Sequence, residues 1–120
     1  MAAGNIELAR RGFAAALAGD LDAIAALLDP DVRWHGGDPT AAGACRNREQ
    51  ALTFMRRAEA LRNGSVELVD VVGSGDKVVV ILRRTEDGVR VANLTTFRHG
   101  RVIEMVHYAN PDDALVAAGL

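Results

Sequence analysis

Two isolated polar residues, Asn93 and His107, are the groups in this sequence best suited to chemistry. They lie in a stretch that predicts two strands, Val89–Phe97 and Val102–Ala109, joined by a turn at His99-Gly100. Strand alternation puts each polar residue on a face with apolar neighbours, namely Val91, Thr95 and Phe97 for the first and Ile103, Met105 and Ala109 for the second. Isolated polar groups on such faces indicate either a lined cavity or core side chains bonded to the backbone, and the pattern leaves both open.

The chemistry expected of these groups is proton transfer. An imidazole with a pKa near neutrality is the usual general acid or base, so His107 is the candidate for that role. The amide of Asn93 can donate a hydrogen bond to a developing oxyanion. Asp38 follows the flexible pair Gly36-Gly37 and is either a further catalytic base or a solvated turn residue.

Large apolar side chains elsewhere would form the wall of a binding site. Of the neighbours Trp34 and His35, alternation favours Trp34 on the inner side, and a bulge near Gly36 would bring in His35 instead. The candidate substrate-binding residues are Phe13, Leu17, Trp34, His35, Phe54, Met55, Met105 and Asn110. Ordinary core packing is the alternative for Trp34.

Composition narrows the classes of partner. The chain has 120 residues, 49% of them hydrophobic, and a net charge of −2, which suits a single globular domain over residues 1–120. Its arginines are scattered among acids, so we expect no nucleic-acid partner. The lone Cys45, the lack of a signal-like N-terminus and the lack of a long apolar run predict a cytoplasmic protein that does not contact a membrane. Metal and cofactor are not expected, because the histidines lack zinc-ligand spacing and no phosphate loop precedes a helix.

The order of elements predicts how these residues are positioned. Helices are expected from Asn5 to about Ala18, over Leu21–Leu28 and over about Arg48–Arg62, with a short strand Val32–His35 between the last two. Asn47 with Gln50 would cap the third helix and Asn63-Gly64 would close it. Four antiparallel strands follow, starting at Val66 and Val78 before the hairpin, and the tail Ala114–Leu120 adds a final helical turn.

Helices followed by a long meander predict an α+β fold, in which three helices pack on one face of a strongly curved mixed or antiparallel sheet. Such a sheet leaves an apolar cone between itself and the helices, a natural site for a small molecule. Valines on both faces of the middle strands (Val71-Val72 and Val78-Val79-Val80) indicate that the outer face is buried as well.

Several local strings resemble the nuclear transport factor 2-like superfamily. They are Ala18-Gly19-Asp20-Leu21-Asp22-Ala23-Ile24, Leu28-Asp29-Pro30-Asp31-Val32, Asn47-Arg48-Glu49-Gln50-Ala51 and Gly100-Arg101-Val102-Ile103-Glu104-Met105. The chain is most similar to the SnoaL-like proteins, which resemble polyketide cyclases and ketosteroid isomerases. The resemblance covers nearly the whole chain and implies a cystatin-like α+β cone that forms a homodimer through the outer sheet face.

The resemblance does not carry over a complete catalytic set. The ketosteroid isomerase Tyr and Asp fall at about Gly12 and Gly36, and the oxyanion-binding acid falls at Asn93. The Asp-Arg-Asp set of limonene-epoxide-hydrolase-like members falls at about Leu82, Arg84 and Asn110. We also find no aligned acid of the polyketide cyclase type.

Two functions therefore remain open. The first is an isomerase-, cyclase- or hydrolase-type enzyme that acts by proton transfer on a small apolar molecule containing a ring or carbonyl group. The second is a non-catalytic ligand-binding or dimerisation module of the same fold.

Overall fold

The computed structural model describes residues 2–38, 40–61 and 66–120. In chain order the elements are α1 (Ala2–Ala18), α2 (Leu21–Leu27), β1 (Leu28–His35), α3 (Arg48–Leu61), β2 (Val66–Ser74), β3 (Lys77–Arg84), β4 (Arg90–Arg98), β5 (Arg101–Tyr108) and α4 (Pro111–Ala117). This is an α+β fold, as the sequence predicted. It has four helices in the described part of the chain, one more than the three expected.

The strands form one mixed sheet in the order β1-β5-β4-β3-β2. The last four strands are an antiparallel meander, whereas β1 pairs with β5 in parallel. The turn between β4 and β5 has positive φ angles at His99 (53°) and Gly100 (77°). Two successive positive φ angles match the twist of the flanking strands, which explains the tight turn predicted there.

Each face of the sheet has its own core. The helix-facing side packs buried residues such as Val32, Val78, Val80 and Phe97 against side chains of α1, α2 and α3. The opposite side, called the outer face below, packs residues including Val79, Leu94 and Val106 against α4. Alternate valines of β3 therefore belong to two different cores, and side chains of this chain form both cores.

The outer face is covered in part by the chain's own C-terminal helix. A second copy of the chain was expected to bury it, but the C-terminal helix α4 lies on β4 and already buries Val79 and Ala92 completely. The tail is thus more than a final turn, since Asn110 caps it and Pro111 begins it. Burial of these valines therefore gives no separate reason for a second copy of the chain, and the homodimer stays a prediction.

Three local predictions were wrong in detail. α1 begins before the predicted start at Asn5, since it already includes Ala2, and the Asn5 side-chain amide donates to the carbonyl of Gly75 at 3.2 Å. β1 begins directly at Leu28, before Pro30, because Pro suits an extended strand as well as a helix end. The alternation of β5 is interrupted near Ile103, since Thr96 pairs with Glu104 but Phe97 pairs with Val102.

The start of α3 agrees with the prediction. The amide of Gln50 donates to Asn47 Oδ1 at 2.9 Å, and the Gln50 side chain accepts from the amide of Arg46 at 2.9 Å. The predicted end at Asn63-Gly64 lies outside the described residues. At the other end of the sheet, a Cβ at Gly73 would lie 3.0 Å from the Ile6 side chain, so glycine permits the close approach of α1 to β2 there.

Candidate functional site

The site is built on the cross-strand pair Asn93 and His107. The two residues lie directly opposite each other in the β4–β5 register, so their side chains project from the same side of the sheet. His107 Nδ1 lies 3.1 Å from Asn93 Oδ1. Because neighbouring pairs on this side, Thr95 with Met105, lead towards the helix-facing core, the polar pair continues that side at its exposed end.

The hydrogen bond determines which tautomer His107 adopts. The carbonyl oxygen of an amide can only accept, so the neutral imidazole carries its proton on Nδ1 and donates it to Asn93 Oδ1. The unprotonated Nε2 then keeps its lone pair for a ligand. The Nδ2 group of Asn93 keeps its own two donor hydrogens, so a proton acceptor and a donor lie side by side.

The surroundings of His107 favour the neutral form. The residue His107 is exposed as a whole, but partial burial of its imidazole disfavours the charged form and lowers its pKa. The positive charge of Arg84 lowers the pKa further. Both effects disfavour the imidazolium. His107 is therefore available as a base at neutral pH.

Arg84 was not among the candidate site residues predicted from the sequence, where it entered only as a counterpart of the Asp-Arg-Asp set. It follows Val78, Val80 and Leu82 at two-residue spacing along β3, and those three belong to the helix-facing core. Alternation alone could have placed Arg84 on this side. We call the exposed end of the helix-facing side, with Arg84, Asn93 and His107, the rim.

Large side chains line the region between the rim and the helices. Trp34 pairs with Met105 in the β1–β5 register, and both pack against the helix-facing core, as do Phe13 and Met55. The rings of Trp34 and Phe54 meet edge to face, with centroids 4.9 Å apart. Trp34 thus lies on the inner side, the orientation that alternation favoured.

Two expected wall residues are more exposed than a wall requires. Leu17 exposes 57% of its surface and Phe54 exposes 47%. Leu17 lies in the last turn of α1, which ends at Ala18, so less of the chain is available to cover it. Phe54 remains in the region through its contact with Trp34, whereas the structure does not bring Leu17 into the core cluster.

Asp38 is engaged locally. Its carboxylate accepts from the amide of Thr40 at 2.9 Å and from the Thr40 hydroxyl at 2.7 Å. These bonds lower the pKa of Asp38, with a smaller contribution from His35. A carboxylate that is exposed, hydrogen-bonded and of lowered pKa is a weak base, so the geometry fits the turn residue rather than the catalytic one.

His35 lies on the outer face rather than in the site. Its side chain is only 6% exposed, and its Nε2 lies 2.9 Å from Glu104 Oε2. The amide of Gly37 donates to Nδ1 at 3.2 Å, so the imidazole carries its proton on Nε2 and donates it to Glu104. Glu104 Oε2 also lies 3.5 Å from Arg33 Nη2, because β1 joins the sheet beside β5.

Asn110 serves a structural purpose. Its side-chain oxygen accepts from the amide of Asp112 at 3.0 Å, which is the N-cap contact of α4. This contact places Asn110 at the start of α4, which packs on the outer face. A contact of Asn110 with a substrate stays a prediction.

Cys45 and the acidic residues add no obvious further chemistry. Burial raises the pKa of the Cys45 thiol, which disfavours the reactive thiolate. Within the described ranges, no group of three or more His, Cys, Asp or Glu side chains is arranged to hold a metal ion.

In the described part of the chain, no helix is long and apolar enough to cross a membrane.

Comparisons with known proteins agree with this architecture. A family model described as the SnoaL-like domain matches residues 9–105. Bal32a, from a soil-derived mobile gene cassette, is 30% identical, with 89% of each chain covered and a TM-score of 0.75. No curated protein matches the chain.

Two more distant structures share the fold. A protein described as a candidate ketosteroid isomerase from Kribbella flavida DSM 17836 is 19% identical, with a TM-score of 0.75 over 88% of this chain and 77% of the other. A candidate polyketide cyclase from Sinorhizobium meliloti is 19% identical, with a TM-score of 0.71 over 84% of this chain and 93% of the other. With the family match over most of its length, this chain belongs to the SnoaL-like domain family.

Proposed function

We propose that this protein binds a small apolar molecule with a ring and a carbonyl group and catalyses proton transfer next to that carbonyl. The observation that carries the proposal is the contact between His107 and Asn93, 3.1 Å apart on one side of the sheet. Membership of a family with ketosteroid isomerase-like and polyketide cyclase-like structural neighbours supports the same class of chemistry.

The chemistry follows from the two free groups of the pair. His107 Nε2 takes a proton from the carbon beside the carbonyl, and the electron pair of the broken C–H bond forms an enolate. The Nδ2 group of Asn93 donates a hydrogen bond to the enolate oxygen as the negative charge develops there. The imidazolium then returns the proton to the same carbon or to a conjugated one, which leaves the enzyme unchanged.

Exchange of carbon-bound hydrogen tests this reaction without knowledge of the natural substrate. Cyclohexanone and 1-tetralone are incubated with the protein in D₂O, and loss of the α-proton signal is followed by NMR. We expect exchange faster than in buffer alone, and His107→Asn should lower the protein-dependent rate by about a hundredfold or more, as for loss of a general base.

The matched control is His99→Asn. His99 is an exposed histidine of the same hairpin, and asparagine tolerates its positive φ of 53°. This variant should exchange α-protons at the wild-type rate. Unchanged exchange in His107→Asn, or no exchange above buffer in the wild type, would refute the proton-transfer function.

The alternative function, a non-catalytic ligand-binding module, is favoured by one observation, the exposure of His107. A base open to water gains less from the low-dielectric surroundings that strengthen electrostatic catalysis. A thermal shift caused by 1-tetralone and lost in Trp34→Ala, without α-proton exchange, would support this second function.

A further inference from the structure

Arg84 is a charged residue on a side of the sheet that is otherwise apolar along its strand. The three residues that precede it at two-residue spacing are Val78, Val80 and Leu82, and all three are buried in the helix-facing core. Arg84 ends β3, and its side chain is 45% exposed. A ligand that enters at the rim can therefore reach the guanidinium from solvent.

The guanidinium is held in place by Asp87. Arg84 Nη2 lies 3.1 Å from Asp87 Oδ2, and Arg84 Nε lies 3.3 Å from Asp87 Oδ1. Asp87 is itself positioned, because its Oδ1 accepts from the amide of Val89 at 3.0 Å. A guanidinium has five N–H donors, and these two contacts use only part of them, so it can still bind a second acceptor.

The charge of Arg84 also acts on the catalytic pair. It contributes to the lowered pKa of His107, whose imidazole lies on the same side of the sheet. A positive charge that stabilises neutral His107 will attract an anionic group on a ligand to the same place. In the β3–β4 register Asn93 lies opposite Val80, and Arg84 lies four residues further along β3 on the same side, so the base, its amide donor and the fixed cation share the helix-facing side.

We infer that Arg84 forms a carboxylate-binding subsite, so that the preferred ligand is an apolar ring ketone that bears a carboxylate group. The inference rests on the ligand site of the proposed function and names its substrate class. The carboxylate contacts the guanidinium, and this contact orients the carbonyl towards Asn93 and the adjacent C–H bond towards His107 Nε2. Arg84 is a specificity-determining residue in this arrangement, and proton transfer remains with His107.

Two probes of similar size separate charge from shape. They are 4-oxocyclohexanecarboxylate and its uncharged amide, 4-oxocyclohexanecarboxamide, and their dissociation constants are measured by ligand-observed NMR at low salt. We expect the wild type to bind the carboxylate about tenfold more tightly, the size expected of one charge-assisted hydrogen bond at an exposed site. Raising the ionic strength should reduce this preference.

The variants Arg84→Gln and Arg83→Gln form a matched pair. Arg83 is the next residue of β3, is equally exposed at 45%, also contacts an acid (Glu67), and projects from the outer face by strand alternation. Arg84→Gln should abolish the preference for the carboxylate, whereas Arg83→Gln should keep it. Equal or undetectable binding of the two probes by the wild type, or equal losses in both variants, would overturn the inference.

The same samples distinguish failure of the subsite from failure of the proposed reaction. Dissociation constants report on Arg84, and α-deuterium exchange of the bound probe reports on His107. A carboxylate preference that needs Arg84, without any exchange in the wild type, supports the subsite and refutes the proton-transfer function. Exchange that needs His107, without a carboxylate preference, supports the function and refutes the subsite.

Discussion

At the scale of single residues, the pairing of His107 with Asn93 gives each side chain a defined state. The amide oxygen selects the Nδ1–H tautomer, and loss of water around the imidazole together with the charge of Arg84 disfavours its protonation. A neutral amide donates to an oxyanion without the raised pKa that a carboxylic acid would need.

The lowered pKa of His107 predicts a pH profile. We expect the imidazole to titrate below its ordinary value of 6.5, so α-proton exchange should rise as pH passes through that lowered pKa and stay level above it. Arg84→Gln removes a nearby positive charge and should raise the pKa of His107, which moves the profile to higher pH. NMR titration of the imidazole Cε1–H signal measures both values, and titration at or above 6.5 in the wild type would contradict the assignment.

The same shift has a consequence for folding. The unfolded state takes up a proton at a higher pH than the folded state, so it binds more protons in the window between the two pKa values. His107 therefore destabilises the fold as pH falls through that window. His107→Asn should remove this contribution to the pH dependence of the free energy of unfolding.

At the scale of elements, the junction of β1 with β5 depends on a buried polar contact. His35, with 6% of its side chain exposed, links three parts of the chain: its own strand, Glu104 on β5, and the amide of Gly37 in the loop that follows. The strand pairing is parallel and its register shifts between Leu28 and Arg33. A directional hydrogen bond at this edge helps to define the register that puts Trp34 inside.

Removal of the Glu104 carboxylate should therefore lower the free energy of unfolding. Glu104→Ala leaves the buried Nε2–H of His35 without its partner, which should lower the free energy of unfolding by ~1–3 kcal/mol. Denaturant unfolding followed by circular dichroism measures this loss. Glu67→Ala is the control, since Glu67 pairs with Arg83 where both side chains are about half exposed, and it should cost at most ~1 kcal/mol. A similar loss in both variants would show that burial of His35 does not matter.

The N-cap of α4 gives a second element-scale prediction. Asn110→Ala removes the side-chain acceptor for the amide of Asp112 and should lower the free energy of unfolding by ~0.5–2 kcal/mol, because α4 covers the outer face. Asn110→Ser keeps an acceptor and should retain most of the stability. If Ser and Ala destabilise the protein equally, the capping assignment is wrong.

At the scale of the whole molecule, one sheet supports two cores with different tasks. The helix-facing core leads to the rim, where polar groups interrupt the apolar surface, and the outer core is closed by α4. Burial of the outer face stabilises the strands that position Asn93 and His107, since Ala92, Leu94 and Val106 alternate with that pair. The site and the outer core are thus opposite sides of the same two strands.

The association state remains a prediction at this scale. Val116 of α4 is 77% exposed, and Leu120, which follows the helix, is 49% exposed. We expect a homodimer with twice the chain mass of 12.7 kDa, measured by light scattering coupled to size-exclusion chromatography. A mass of one chain, independent of concentration, would contradict it.

The amino-acid sequence by itself determined the features that depend on near neighbours. The β4–β5 hairpin, its His99-Gly100 turn, the Asn47–Gln50 cap and the isolation of Asn93 and His107 all follow from periodicity and turn chemistry within a few residues. The opposition of the polar pair does not follow from the turn, whose register alone would place Asn93 opposite Val106. The shift between Thr96 and Phe97 brings Asn93 opposite His107.

Only the tertiary structure decided the features that depend on distant contacts. His35 and Glu104 are 69 positions apart, and their bond exists because β1 adds to the sheet in parallel beside β5. The shift near Ile103, the exposure of Leu17 and the closure of the outer face by α4 likewise depend on which surfaces meet. Local pattern shows that a residue favours burial. The packing of elements far apart in the chain determines which surface buries it. Here that packing leaves His107 exposed at the rim, where the charge of Arg84 lowers its pKa.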